Sequence, residues 1–160
     1  MGKTIRYGGK GGVSVSVNYG DLIAKIQKLE GDVEQATWDA ARKGAKVLYD
    51  QLQAECDASG VPSSIKDAIA MQAERSASGN RVACKVGWRM TPYDPKNLTP
   101  AYKAIFLNYG TPRRFTISTD AHRGYIDGRG FLGRAKKRAR PKVKKAQEEV
   151  LKTIIEGLEG

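Results

Sequence analysis

Two long stretches of the chain place apolar residues at helical spacing. In the first, Leu22, Ile26, Leu29, Val33, Ala36, Ala40, Leu48 and Leu52 recur at intervals of three, four or eight. They form one stripe of an α-helix that opens at Asp21 and ends near Ala58, where Gly60 and Pro62 follow. Gly31 and Gly44 each cost about 1 kcal/mol against Ala in a helix, and a bend is expected near Gly31. In the second stretch, Leu132, Ala135, Ala139, Val143, Ala146, Val150, Ile154 and Leu158 keep a three-or-four spacing. Pro141 lies inside it. Proline lacks an amide hydrogen and its ring clashes with the preceding turn, so the pattern predicts a kink there, or two helices with Pro141 near the start of the second.

Between these stretches the period changes to two. Val82, Cys84, Val86, Trp88 and Met90 alternate with Arg81, Ala83, Lys85, Gly87 and Arg89, which is a strand pattern. Ser78-Gly79-Asn80 precedes it and supplies hairpin chemistry, because Gly and Asn accept positive φ. A short helical turn after Pro62 and a first hairpin strand fill the segment before that turn. Val13, Val15 and Val17 alternate with serines and predict another short strand, behind a Gly- and Lys-rich mobile arm at residues 1–12. Thr99 and Pro100 read as the N-cap and first residue of a short helix stopped at Gly110, with a strand as the competing pattern. The segment after Gly110 is mostly loop, with residues 115–118 as a candidate strand. Elements in this order predict an α+β fold rather than alternating β-α units. It has a long N-terminal helix, a small antiparallel sheet and a C-terminal helix packed on the sheet, in one domain at 13–160.

Composition changes this picture in one respect. The 160 residues hold 28 Lys or Arg against 17 Asp or Glu, a formal charge of +11. Residues 101–145 contain 13 of the cations and two aspartates, so the rest of the chain is balanced. A localised excess is a surface feature that points to a partner. No run is apolar enough to span a membrane, and the first residues lack the apolar core of a secretory signal. Arg6 stands where a myristoylation motif wants Ser or Thr. A soluble protein made in a cytoplasm is expected. Cys56 and Cys84 are too few for a disulfide framework, and no Cys or His cluster has metal-ligand spacing. His122 has no evident partner in the sequence. "YGGKGGVS" lacks the Lys-Ser or Lys-Thr of a phosphate-binding loop. No catalytic motif stands out, and neither an enzyme activity nor a cofactor is expected.

The densest positive run, residues 128–147, holds nine cations and no acid: Arg129, Arg134, Lys136, Lys137, Arg138, Arg140, Lys142, Lys144 and Lys145. Four roles compete for it. It could neutralise nucleic-acid phosphates, although the run from Gly133 to Gln147 has no aromatic residue for stacking on bases. It could lie on a membrane, although its apolar face there is mostly alanine. It could dock an acidic protein, or simply be a solvated helix face. A second candidate contact is the loop between Gly110 and Gly130, with Tyr109, Arg113, Arg114, Phe115 and Tyr125, since aromatic residues and Arg are enriched in interface hot spots. The competing role for Tyr109, and for Phe131 beyond the loop, is closing the domain core.

The order of these features resembles the family of head–tail joining or tail-completion proteins of long-tailed bacteriophages, from about Tyr19 to the C-terminus. "YGDLIAKIQKLEGDVEQATWDAARKGAKVLYDQLQA" stands for the family's long opening helix. "SGVPSSIKDAIAMQ" stands for its Pro-containing break, "AYKAIFLNYGTP" for an aromatic stretch ending in Gly-Thr, and "GFLGRAKKRARPKVKKAQEEVLKTIIEGL" for a Phe-Leu heading the closing helix. Ser63-Ser64 replace the family's Thr-Gly after the proline. Asn108 stands in the neighbourhood where the family often has an acid. The basic piece after "FLGRA" is unusual. The resemblance implies a structural virion protein in a neck ring between capsid and tail, with no catalysis and no cofactor. Its implied partners are copies of itself, neighbouring connector or tail proteins with acidic faces, and DNA in the channel. Like charges converging in such a ring would repel, so a monomer or loose oligomer is expected until a partner arrives. The runner-up expectation is a non-specific nucleic-acid-binding protein that uses the basic helix.

Overall fold

The computed structural model describes residues 12–15, 20–75, 82–92, 94–113 and 124–160. Its elements run β1 (Gly12–Val15), α1 (Gly20–Lys28), α2 (Val33–Ala58), α3 (Ser63–Lys66), β2 (Ile69–Arg75), β3 (Val82–Trp88), α4 (Pro100–Tyr109) and α5 (Phe131–Glu159). The fold is α+β, with α5 packed on the sheet as the sequence predicts. Gly12 already belongs to β1, one residue inside the expected arm. The rest of that arm, the Ser78–Asn80 turn and the candidate strand at 115–118 lie outside the described residues.

The sheet is antiparallel, with β3 central in the order β1-β3-β2. Val13 and Met71 both face Val86, and Ile69 faces Trp88. Residues paired directly across strands point to the same side, so the alternation of Cys84, Val86 and Trp88 sets the inner face. All three are buried, while Met71 on edge strand β2 remains 49% exposed.

The first apolar stripe divides into two helices. Glu30 takes a left-handed φ of 56°, and the Gly31 amide donates back to the Ile26 carbonyl at 3.0 Å, which closes α1. Asp32 then caps α2 by accepting from the Gln35 amide at 2.9 Å. A Cβ on Gly31 would come within 2.5 Å of Leu158 Cδ1, so this break is also where the end of α5 packs. The expected bend is therefore a full interruption.

Pro141, by contrast, does not divide α5, which runs unbroken over 29 residues. Pro141 and Lys137 both lie on exposed surface, so water can take the Lys137 carbonyl that loses its helical partner. The second stripe holds through Ala146 and then shifts by one position, to buried Gln147, Leu151 and Ile155. Val150 and Ile154 are half-buried, and Leu158 is exposed. Pro100 opens α4 as predicted, and Gly110 ends it. Thr99 makes no capping bond, however, and its buried hydroxyl has no hydrogen-bond partner.

Helices α2 and α5 lie antiparallel. Glu55 and Gln51 of α2 meet the first half of α5, Gly44 meets Gln147, and Ala36 and Ala40 cluster with Leu151 and Ile155. The main core fills the space between these helices, α4 and the sheet. Trp88 and Phe131 sit there edge to face at 6.2 Å, and the Trp88 indole donates to the Ile65 carbonyl at 2.6 Å. A smaller cluster around Ile26 seats α1 on the far end of α2 and α5.

Candidate functional site

The basic segment divides into two populations. One is taken up inside the molecule. Glu55 stands on the α2 stripe, one position before buried Cys56, and is only 2% exposed. Its carboxylate accepts from Arg134 Nε at 3.1 Å and from Arg138 Nη1 at 2.6 Å. Burial pushes the Glu55 carboxyl up, but the hydrogen bonds and charges of the two arginines outweigh it and hold the group below its ordinary pKa. Arg134 also donates to Ser59 Oγ at 2.7 Å and to the Arg129 carbonyl at 2.6 Å. Arg129 in turn donates to the carbonyls of Ser59 and Gly60, both at 2.8 Å, which closes the C-terminal end of α2. Lys142 continues the seam with a 2.7 Å bond to Gln51. Arg129, Arg134, Arg138 and Lys142 therefore join α5 to α2.

The other population faces outward. Lys136, Lys137 and Arg140 are exposed and make no ion pair or hydrogen bond among the described residues. Spacings of three and four put Lys136, Lys137, Arg140 and Lys144 along one side of α5, turned from the side that carries Arg134 and Arg138. Lys144 and Lys145 reach Glu148 and Glu149 at 3.8 and 4.0 Å, exposed pairs that leave both cations largely solvated. Gly133 and Pro141 are exposed on this helix as well.

The aromatic loop is organised from its base. Asn108, 5% exposed in α4, accepts from the Leu132 amide at 2.8 Å and so caps α5 from another helix. Its own carbonyl takes the Gly130 amide at 3.0 Å. Gly110 has φ 79°, and a Cβ there would meet the Ile126 carbonyl at 2.6 Å. A Cβ on Gly128 would meet the Tyr109 carbonyl at 2.8 Å, and Thr111 bridges Ile126. Above this crossing Tyr109 and Tyr125 are 61% and 52% exposed, with the Arg113 guanidinium 5.8 Å from the Tyr125 ring centre. Tyr109 thus takes the surface alternative and Phe131, fully buried, the core alternative. Arg114 and Phe115 lie outside the described residues.

Sequence reasoning missed Glu55 and gave Asn108 no role; both are buried polar groups with partners far along the chain. A signal for Glu55 was its place three residues after Leu52 on a buried stripe. Both thiols are buried as well. Burial raises Cys84 to about 11; burial and the neighbouring Asp57 charge raise Cys56 to about 12. Cys84 donates to the Ala41 carbonyl and accepts from the Gln147 amide, contacts that pack it into the core. No helix among the described residues is long and apolar enough to cross a membrane, and no group of three or more His, Cys, Asp or Glu among them could hold a metal ion. Comparison of the chain with family models, curated proteins and solved structures gives no match.

Proposed function

We propose that this chain is a structural protein of a tailed-bacteriophage virion, one subunit of the neck or tail-completion ring that joins the capsid connector to the tail. The observation that carries the reading is the outward strip Lys136, Lys137 and Arg140, presented on an unbroken helix that the Glu55 seam fixes to the body. A docking surface gains from such support, because little order has to be created on contact. The order of motifs along the chain and the exposed Tyr109, Tyr125 and Arg113 support the same reading, as contacts to neighbouring subunits or connector proteins.

The test is genetic. A nonsense codon in this gene of the parent phage should leave filled heads and separate tails in electron micrographs. Wild-type protein supplied in trans should restore joined particles, and a K136E/K137E/R140E variant should not. Joined particles at normal yield without the protein would end the reading. Neutralising the whole run from Arg134 to Lys145 is a poorer test, since it also strips Glu55 of its partners. The second reading, non-specific nucleic-acid binding, draws on the same strip. It requires duplex DNA to bind at low salt with an affinity that falls steeply as salt rises, whatever the sequence.

A further inference from the structure

The counterpart of the basic strip is on the same chain. Residues 29–41, from the end of α1 into α2, hold Glu30, Asp32, Glu34 and Asp39 and no cation. The last part of α5 and the residue after it, 148–160, hold Glu148, Glu149, Glu156 and Glu159 against Lys152. The antiparallel packing of α2 and α5 gathers these two acidic stretches at one end of the molecule, where Gly31 packs against Leu158 and Lys25 pairs with Glu159 at 2.5 Å. Glu30, Asp32, Glu34 and Glu156 are exposed there. Lys28, Lys43, Lys152 and Arg42, which pairs with Asp39 at 3.8 Å, are the other cations near that end, still fewer than the acids.

Arg140 and Glu156 lie about 24 Å apart along α5 at the rise of an α-helix, more than twice the screening length of about 10 Å in 0.1 M salt. Apart from the exposed Lys144–Glu148 and Lys145–Glu149 pairs where the two stretches meet, the ends barely neutralise one another within one molecule. From this geometry we infer that the basic strip of α5 docks on the acidic α1–α2 turn and α5 terminus of a second copy, head to tail. Each copy then has one free end of each sign, so contacts propagate, and they close into a ring when the rotation between copies permits. This deepens the ring reading, rests on it only for that closure, and reverses the like-charge expectation of a monomer, because each strip meets an acidic face of its neighbour rather than a second strip.

Sedimentation of the full chain over a salt series tests it. Self-association is expected at about 0.05 M salt and is weakened at least about tenfold at 0.5 M. K137E/R140E discharges the outward strip and keeps the acidic end, and E30K/E156K largely discharges the acidic end and keeps the strip. Each variant alone should sediment as a monomer with an unchanged far-ultraviolet spectrum. An equimolar mixture of the two should associate again, since each now complements the other. A wild-type chain that stays monomeric at low salt overturns the inference, as does a mixture no better than either variant alone. Duplex DNA binding by a wild-type chain that does not self-associate overturns it in favour of nucleic acid. None of these results decides the phage experiment, in which a ring could still be built on a connector template.

Discussion

Two sides of one helix, built from the same residue types, have opposite fates. Arg134 and Arg138 lie along α2 and are tied to buried Glu55. Lys136, Lys137 and Arg140, interleaved with them in sequence, point away and meet no described partner. The difference is one of rotation about the helix axis. It shows that a count of charges in a run measures neither the strength of a docking surface nor its extent. Here the first population holds two helices together, and only the second remains to attract something else.

The largest effect is expected at the seam. R134A/R138A leaves the Glu55 carboxylate buried without its cations and should cost about 3 kcal/mol, the lower end for breaking a buried pair because the arginine heads are part-solvated. Urea unfolding measures it. The same pair sets an acid dependence. A carboxyl held below its ordinary pKa contributes stability that is complete above the unfolded value of 4.5 and is lost as pH falls through the lower folded value. Glu55→Gln should flatten that fall in unfolding free energy against pH. If the curves of Glu55→Gln and wild type stay parallel, the seam is not what titrates.

A smaller effect is expected at Gly44, where a Cβ would come within 2.5 Å of Gln147 Nε2. The gain of about 1 kcal/mol in helix propensity is offset by crowding of about 1–3 kcal/mol, so Gly44→Ala should destabilise by roughly 1 kcal/mol. Pairing it with Gln147→Ala should relieve the crowding, and denaturant midpoints report both. The smallest effect belongs to the outward strip. K136A/K137A/R140A should move stability by no more than about 0.5 kcal/mol, as exposed charges do. A larger loss in a thermal melt would mean that the strip is structural too.

Much of this was legible beforehand where local rules suffice. The alternation in β3, the α5 stripe through Val143 and the Gly110 stop follow from side-chain periodicity and backbone freedom alone. The interruption at Glu30 and Gly31 was only half visible, because apolar spacing runs straight through it and the close packing of Leu158 comes from the other end of the chain. Pro141 argued for a break that its exposed setting makes unnecessary. The basic run was plain to see, but its division was not. That division depends on Glu55, 79 residues before Arg134, and such a pairing leaves no periodic trace.

The crossing of Gly110 and Gly128 has a consequence for how this chain can change. Thr111 and Ile126 hold the two ends of an excursion side by side. A change in the number of residues between them therefore need not displace α4 or α5, since the entropy of closing a connection grows only slowly with its length. Divergent copies of this protein should differ most in length there, and a short epitope spliced into the same stretch should leave the scaffold able to fold.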